Sequence, residues 1–201
     1  MSIKNVKYDY IATTALSLFL ETPIHKVTIK DVADRAEIGE ATVYRYFGQK
    51  TNLVIAAAEK LLSRIESEYY SHVQKREGAD FISAFYDMYA TILSTHPEWF
   101  RFVDEFDAFL IHEHQSSSLG YANSIDRYHN DFITAYDKAL ADGSIRSLDN
   151  PHLFYYATTH ALLELCKKLS LSPNIVPQDT RIRGTDEIRE LIRLTLDTLR
   201  I

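Results

Sequence analysis

Thr28-Ile29-Lys30-Asp31-Val32-Ala33-Asp34-Arg35-Ala36, then Glu37-Ile38-Gly39, then Glu40-Ala41-Thr42-Val43-Tyr44-Arg45-Tyr46-Phe47: these twenty residues decide the fold. Thr28 reads as an N-cap with Asp31 in the capping-box position, and Val27 and Val32 fall at the hydrophobic-staple pair. A short helix is therefore predicted from about Ile29 to Ala36. Glu37-Ile38-Gly39 is a tight connection, and a second short helix follows from about Glu40 to Phe47. Two short helices joined this way make a helix-turn-helix, whose second helix lies in the DNA major groove. Val32, Ala33, Ala36, Ile38, Val43 and Phe47 fill a small shared core, with Ala33 small where the helices cross. The other faces carry Lys30, Thr42, Tyr44, Arg45, Tyr46 and Lys50, groups that hydrogen-bond phosphate or base edges. The plainer alternative is a three-helix packing motif. It leaves two Tyr at i, i+2 beside Arg45 exposed without a partner surface.

Outward from this stretch the chain reads as helical throughout. Upstream, residues 8–21 place Ile11, Ala15, Leu18 and Phe19 on one helical face, and Pro23 ends the run. Downstream, a helix starts near Gln49 or Lys50 and continues into the 70s, turning Leu53, Ala57, Leu61 and Ile65 inward. Gly78 breaks it. Further helices are predicted over 79–95, ending at His96-Pro97, over 97–114, and over 121–142 with Gly143 as a C′ glycine. Another starts after Asp149-Asn150-Pro151, a capping residue before a proline at the first helical position, and runs to about Ser170. The last spans 185–200. Ser116-Ser117-Ser118-Leu119-Gly120 and residues 171–184 are loops. The expected class is all-α, about nine helices: a helix-turn-helix head, residues 1–49, fused to a helical bundle, residues 50–201.

Composition narrows the function. Of 201 residues, 46% are hydrophobic and 25% charged, ordinary for a globular protein. The six Gly are dispersed, which excludes a P-loop and a dinucleotide-binding glycine turn. The longest apolar run, Leu53 to Ala58, falls far short of the roughly 20 residues that cross a bilayer, and the N-terminus has no apolar signal region. Cys166 stands alone, as in a reducing compartment. A cytoplasmic protein with no membrane association is expected. Formal net charge is −6, against nonspecific coating of nucleic acid. Residues 1–50 nevertheless hold seven Lys/Arg against six Asp/Glu, leaving 15 against 22 for the rest.

Thr28 to Ala36, then Thr42-Val43-Tyr44-Arg45-Tyr46-Phe47-Gly48-Gln49-Lys50 and Leu53, resemble the tetracycline-repressor (TetR-like) family of bacterial transcription regulators. The motif resemblance covers about residues 8–60. Elsewhere the chain matches in length and helical layout only. The resemblance implies that the first three helices bind double-stranded DNA at a palindromic operator. The remaining six then bind a small-molecule effector and form a homodimer through the last two. It places Lys30 at phosphate or a base edge, Lys50 at phosphate, Thr42, Tyr44, Arg45 and Tyr46 on the recognition helix facing DNA, and Thr28 near the DNA backbone. Two positions depart from the pattern. The family has Gly in the turn where this chain has Glu37, and the turn is expected to adjust rather than hold Glu at positive φ. The recognition-helix cap is Gly39 rather than Ser, a weaker cap. Glu40 either accepts from a cytosine amino group or favours the helix N-terminus.

Residues 81–136 are rich in aromatics, among them Phe81, Tyr86, Phe100, Phe102, Phe109, Tyr121 and Tyr136. They read as core packing one at a time and, with the resemblance, collectively as an effector cavity. Phe85, Tyr89, Trp99, Phe106, Tyr128 and Phe132 are the candidate lining. Asp104, Glu105 and Asp107 suit a cationic ligand or a solvated helix face equally. His112 and His114 do not share a helix face, His160 with Glu164 gives two ligands at most, and no HExxH or Cys cluster occurs. No metal, cofactor or catalytic residue is assigned, and Cys166 reads as a buried structural thiol. Phe154, Ala157, Ala161, Leu165 and Leu169, with Ile188, Leu191, Ile192, Thr195 and Leu199, form apolar stripes; the C-terminal one is expected to be exposed on a monomer and to drive dimerisation. The sequence thus points to a ligand-responsive transcription regulator, a repressor released by its effector. Activation, a helical-bundle enzyme acting on a small substrate, and an adaptor using the helix-turn-helix for protein contacts are the alternatives.

Overall fold

The computed structural model describes residues 3–115, 119–171 and 182–201; for Ile3, Leu119 and Tyr121 it describes the backbone alone. The N-terminal dipeptide and most of the two expected loops therefore lie outside the described residues. Among the described residues there are nine helices and no strand. They are α1 (Ile3–Glu21), α2 (Ile29–Arg35), α3 (Glu40–Phe47), α4 (Lys50–Ile65), α5 (Gly78–Thr95), α6 (Pro97–His112), α7 (Leu119–Ala141), α8 (Pro151–Ser170) and α9 (Gly184–Asp197). No helix among the described residues is long and apolar enough to cross a membrane. The chain divides into two compact units, Met1–Arg64 with Arg101–Ala122, and Ile65–Phe100 with Asn123–Ile201.

In the first unit, α1 begins five residues earlier than its apolar periodicity announces, since no Pro or Gly interrupts residues 3–8. Its expected face is buried: Ile11, Ala15, Leu18 and Phe19. Pro23 ends it as predicted. The capping box of α2 forms in full. Thr28 accepts from the Asp31 N–H at 3.1 Å, and the Asp31 carboxylate accepts from the Thr28 N–H and hydroxyl, both at 2.7 Å. Those bonds, the backbone one foremost, hold the Asp31 carboxyl below its ordinary pKa. A depressed carboxyl contributes stability above its unfolded pKa and loses it as pH falls through the folded value. Thr28→Ala is expected to cost about 1 kcal/mol at neutral pH, and the gap to the parent should narrow without closing at acid pH, where protonated Asp31 loses its charge-assisted bond to the hydroxyl while the hydroxyl's bond from the Asp31 N–H persists. Denaturant unfolding at the two pH values checks both. Val32, Ala33, Ala36, Val43 and Phe47 are buried as expected, Ile38 is half-buried, and Tyr8 stacks on Phe47 at 4.6 Å.

Past Ile65 the long helix departs from prediction. Glu66–Tyr70 is π-helical, and Ser71–Val73 completes the helix. The π segment carries Tyr69 and Tyr70. Tyr70 is buried and its hydroxyl donates to Asp131 at 2.7 Å. Tyr69 meets Trp99 edge-on at 5.8 Å. A sequence periodicity cannot announce one extra residue in a turn.

In the second unit, α5 packs against α8 and α9, and α9 against α8. Asn150 caps α8 by accepting from the Leu153 N–H at 2.9 Å, with Pro151 at the first position. Gly143 takes φ +74° beyond α7, and Ser144 N–H reaches back to the Ala139 carbonyl at 3.0 Å, as a C′ glycine permits. The expected exposure of the C-terminal stripe is corrected. Ile188, Ile192, Thr195 and Leu199 are buried, and α9 lies along α5 and α8. The α8 stripe is the one left outside: Tyr155, Thr159, Leu162 and Cys166 face the core, whereas Ala157 and Ala161 are exposed beside Leu153 and Tyr156. Burial pushes the Cys166 thiol up to about 12, so it is a packed, unreactive group.

Candidate functional site

The turn between α2 and α3 holds its unusual residue without adjusting. Glu37 has φ +54°. Its N–H donates to the Asp34 carbonyl at 3.2 Å, and the Ile38 N–H to the Ala33 carbonyl at 3.0 Å. Those two bonds are the Schellman closure, which places the C′ residue in the left-handed region whatever its type. The expectation of an adjusted turn is therefore wrong, because the closure and the packing of Val32, Ala33 and Val43 fix the path. An L-residue there stores about 1–2 kcal/mol, against the 0.5–1 kcal/mol that Gly costs in backbone entropy. Glu37→Gly is expected to raise the melting temperature by about 2 °C with DNA affinity unchanged, as read by thermal unfolding and a binding isotherm.

Beyond the turn, Gly39 caps α3 with no side-chain bond, and Glu40 occupies the first turn, where its charge favours the helix N-terminus. Val43 and Phe47 are the buried side of α3. The opposite side presents Glu40, Ala41, Tyr44 and Arg45, flanked by half-buried Thr42 and Tyr46. Tyr44 is 50% exposed, high for a large ring. The Arg45 guanidinium lies 5.6 Å from the centre of the Tyr46 ring, which aligns it without consuming its hydrogen-bond donors. Lys30 is exposed on α2. The Thr28 hydroxyl is spent on Asp31. Lys50 is placed differently from the others: it is half-buried, and its Nζ donates to the Ile24 carbonyl at 2.6 Å. Ala41 belongs to the exposed face and was missed. The spacing of Val43 and Phe47 announces it, but a methyl group carries no polar signal.

Of the six aromatic candidates, Phe85, Tyr89 and Phe132 meet directly: Phe85 meets Tyr89 at 6.0 Å and Phe132 at 5.6 Å. Tyr128 packs on Tyr70 at 4.3 Å, and Tyr70 in turn faces Phe85 at 6.5 Å. Trp99, also in the second unit, is stacked on His96 at 4.3 Å. Phe106 belongs to the first unit, where it meets Phe102 at 6.1 Å. Asp104, Glu105 and Asp107 are likewise in the first unit. Sequence reasoning passed over Tyr155, whose ring meets both Phe85 and Phe132. Desolvation among these rings raises the phenols of Tyr86, Tyr89 and Tyr155, which keeps them neutral donors. Tyr86 shares a hydrogen bond of 2.7 Å with Thr158. Among the described residues, no group of three or more His, Cys, Asp or Glu gathers to hold a metal.

Comparison with known proteins bears on the head and on the fold. Residues 11–57 match the family described as bacterial regulatory proteins, tetR family. Among solved structures, a putative transcriptional regulator from Saccharomonospora viridis in complex with choline is 15% identical, with TM-score 0.72, covering 98% of this chain and 99% of its own. The fatty acid degradation regulator FadR from Bacillus halodurans is 17% identical, with TM-score 0.66, covering 96% and 100%. AibR, in complex with isovaleryl coenzyme A and operator DNA, is 16% identical, with TM-score 0.61, covering 93% and 96%. At such identities the likeness is one of fold. No curated protein matches the chain significantly.

Proposed function

We propose that this chain, whose residues 11–57 match the tetR family of bacterial regulatory proteins, is a homodimeric, ligand-responsive transcription regulator of the cytoplasm. The observation that carries this is the exposed face of α3, where Tyr44 and Arg45 stand free on the second helix of a helix-turn-helix. In this reading α3 enters the major groove. Arg45, Tyr44, Thr42 and Tyr46 read or brace base edges, and Lys30 and the Thr28 backbone meet phosphate. The head, residues 1–49, is the reader, and residues 50–201 bind effector and partner. Dimerisation uses the open side of α8, where Leu153 and Tyr156 are exposed beside Ala157 and Ala161. Two heads on a two-fold axis match a palindrome whose half-sites lie roughly 34–36 Å apart.

The effector is a small apolar or amphipathic molecule held at the Phe85, Tyr89, Tyr128 and Phe132 cluster, whose neutral phenols orient it. AibR carries an acyl coenzyme A and the Saccharomonospora regulator choline, ligands too unlike to assign one to this chain. An effector that fits one separation of the heads better shifts DNA affinity by that difference and no more. Release from the operator is the expected sign. No enzymatic role is proposed, since family and fold are those of regulators.

Selection of bound sequences from a random DNA pool by the purified protein, at two salt concentrations, tests the reading. A recovered palindrome whose log affinity falls linearly with log salt supports it. A folded dimer that retains no sequence overturns it.

A further inference from the structure

Ile24 is the joint between α1 and α2, and charged side chains take both polar groups of its backbone. Its N–H donates to Glu105 Oε2 at 2.7 Å, and its carbonyl accepts from Lys50 Nζ at 2.6 Å. One turn earlier on α6, Arg101 donates to the Leu20 carbonyl in the last turn of α1, and Phe102 stacks on Phe19 at 6.2 Å. The start of α4 and the body of α6 thus hold the end of α1 and the chain leading into the helix-turn-helix. Beside the joint lies a cleft of about 550 Å³, lined by His25, Lys50, Thr51, Glu105, Phe109 and His112 among others. The Ile24 side chain is itself buried, so packing and the two polar bonds together set the joint's position. Lys50 is withdrawn from water there, and that burial lowers its pKa.

We propose that Lys50 and Glu105 are positioning residues for operator recognition: gripping the Ile24 peptide from its two sides, they set where the chain delivers Thr28 and the α2–α3 pair. Lys50 then acts through Ile24 and not through a phosphate. The assignment rests on the DNA-binding reading above. Both bonds are charge-assisted, the class with the larger contribution.

The test uses the full-length protein and the operator recovered from the random pool, with affinity measured across a salt series. Removing a lysine that sits on phosphate flattens the log–log salt line by about one for each phosphate it neutralised. Removing a grip shifts the line and leaves its slope. Lys50→Met and Glu105→Ala are each expected to lower affinity roughly tenfold at every salt, with slope, helicity and dimer mass unchanged, and Lys50→Arg to restore most of the loss. Glu105→Ala removes a negative charge from a DNA-binding protein, which by field alone would tighten binding; weakening is the mark of the grip. Should Glu105→Ala fail to fold, Glu105→Gln keeps the shape with a weaker neutral acceptor, and the Ile24 amide should then exchange with solvent faster. A flattened slope for Lys50→Met overturns the assignment, as does unchanged or tighter binding by a folded Glu105 variant. Parent protein that selects no DNA overturns the DNA reading itself, and this assignment with it. A parent that selects an operator separates the two.

Discussion

Replacing Tyr44 and Arg45 together by alanine will reduce operator affinity by about a thousandfold or more, to the level of unrelated DNA. Each side chain at a base edge contributes about 1–3 kcal/mol, and the proposed dimer counts each loss twice. Both residues are exposed on the side of α3 opposite Val43 and Phe47, so truncation leaves the packing of the head intact. Helicity, melting temperature and dimer mass should stay at parental values while the binding isotherm collapses. The residual binding should keep most of its salt dependence, because phosphate contacts made elsewhere survive. If the folded double variant still prefers its operator, α3 does not read bases.

The second large effect lies in the other unit. Phe85 is 1% exposed, and its ring meets those of Tyr70, Phe81, Tyr86, Tyr89, Phe132 and Tyr155. Phe85→Ala is expected to cost about 3–5 kcal/mol, a large share of the roughly 5–15 kcal/mol that holds a protein folded. Denaturant unfolding followed by helicity measures it. The outcome also weighs the aromatic cluster as an effector site. A ring that closes a solid core gives the full loss. A ring that borders a ligand space gives less, and then operator release should respond to apolar effectors at altered concentration.

The head was legible because its rules are local. Thr28 and Asp31 satisfy each other within one turn, and Val32, Val43 and Phe47 can face inward only if the chain turns at Glu37-Ile38-Gly39. Helix ends marked by Pro23, Pro97, Gly143 and Asn150-Pro151 were equally plain, since each acts on its neighbours alone. What escaped depends on distant partners. The side chain of Lys50 turns to Ile24, a choice set by the chain before α2. Tyr155 escaped although its ring meets Phe85 and Phe132, because a helical period gives a face but not what covers it. The apolar side of α9 looked unpartnered because α5, which covers it together with α8, is remote in the chain. Glu37 escaped for another reason: propensity argued for a relaxed turn, and the closure of the helix end outweighed it.

The π-helical turn at Glu66–Tyr70 has a consequence for how this chain tolerates changes in length. Such a turn holds one residue more than a regular one uses. Deleting a residue from most of a long helix rotates all that follows by about 100°, which here would swing the Tyr70 hydroxyl away from Asp131. Deleting exposed Ser67 instead lets the wide turn tighten to α spacing while both flanks keep their facing. Homologues one residue shorter are therefore expected to carry their gap within Glu66–Tyr70, and a laboratory deletion at Ser67 should be survivable where one at Ala57 is not.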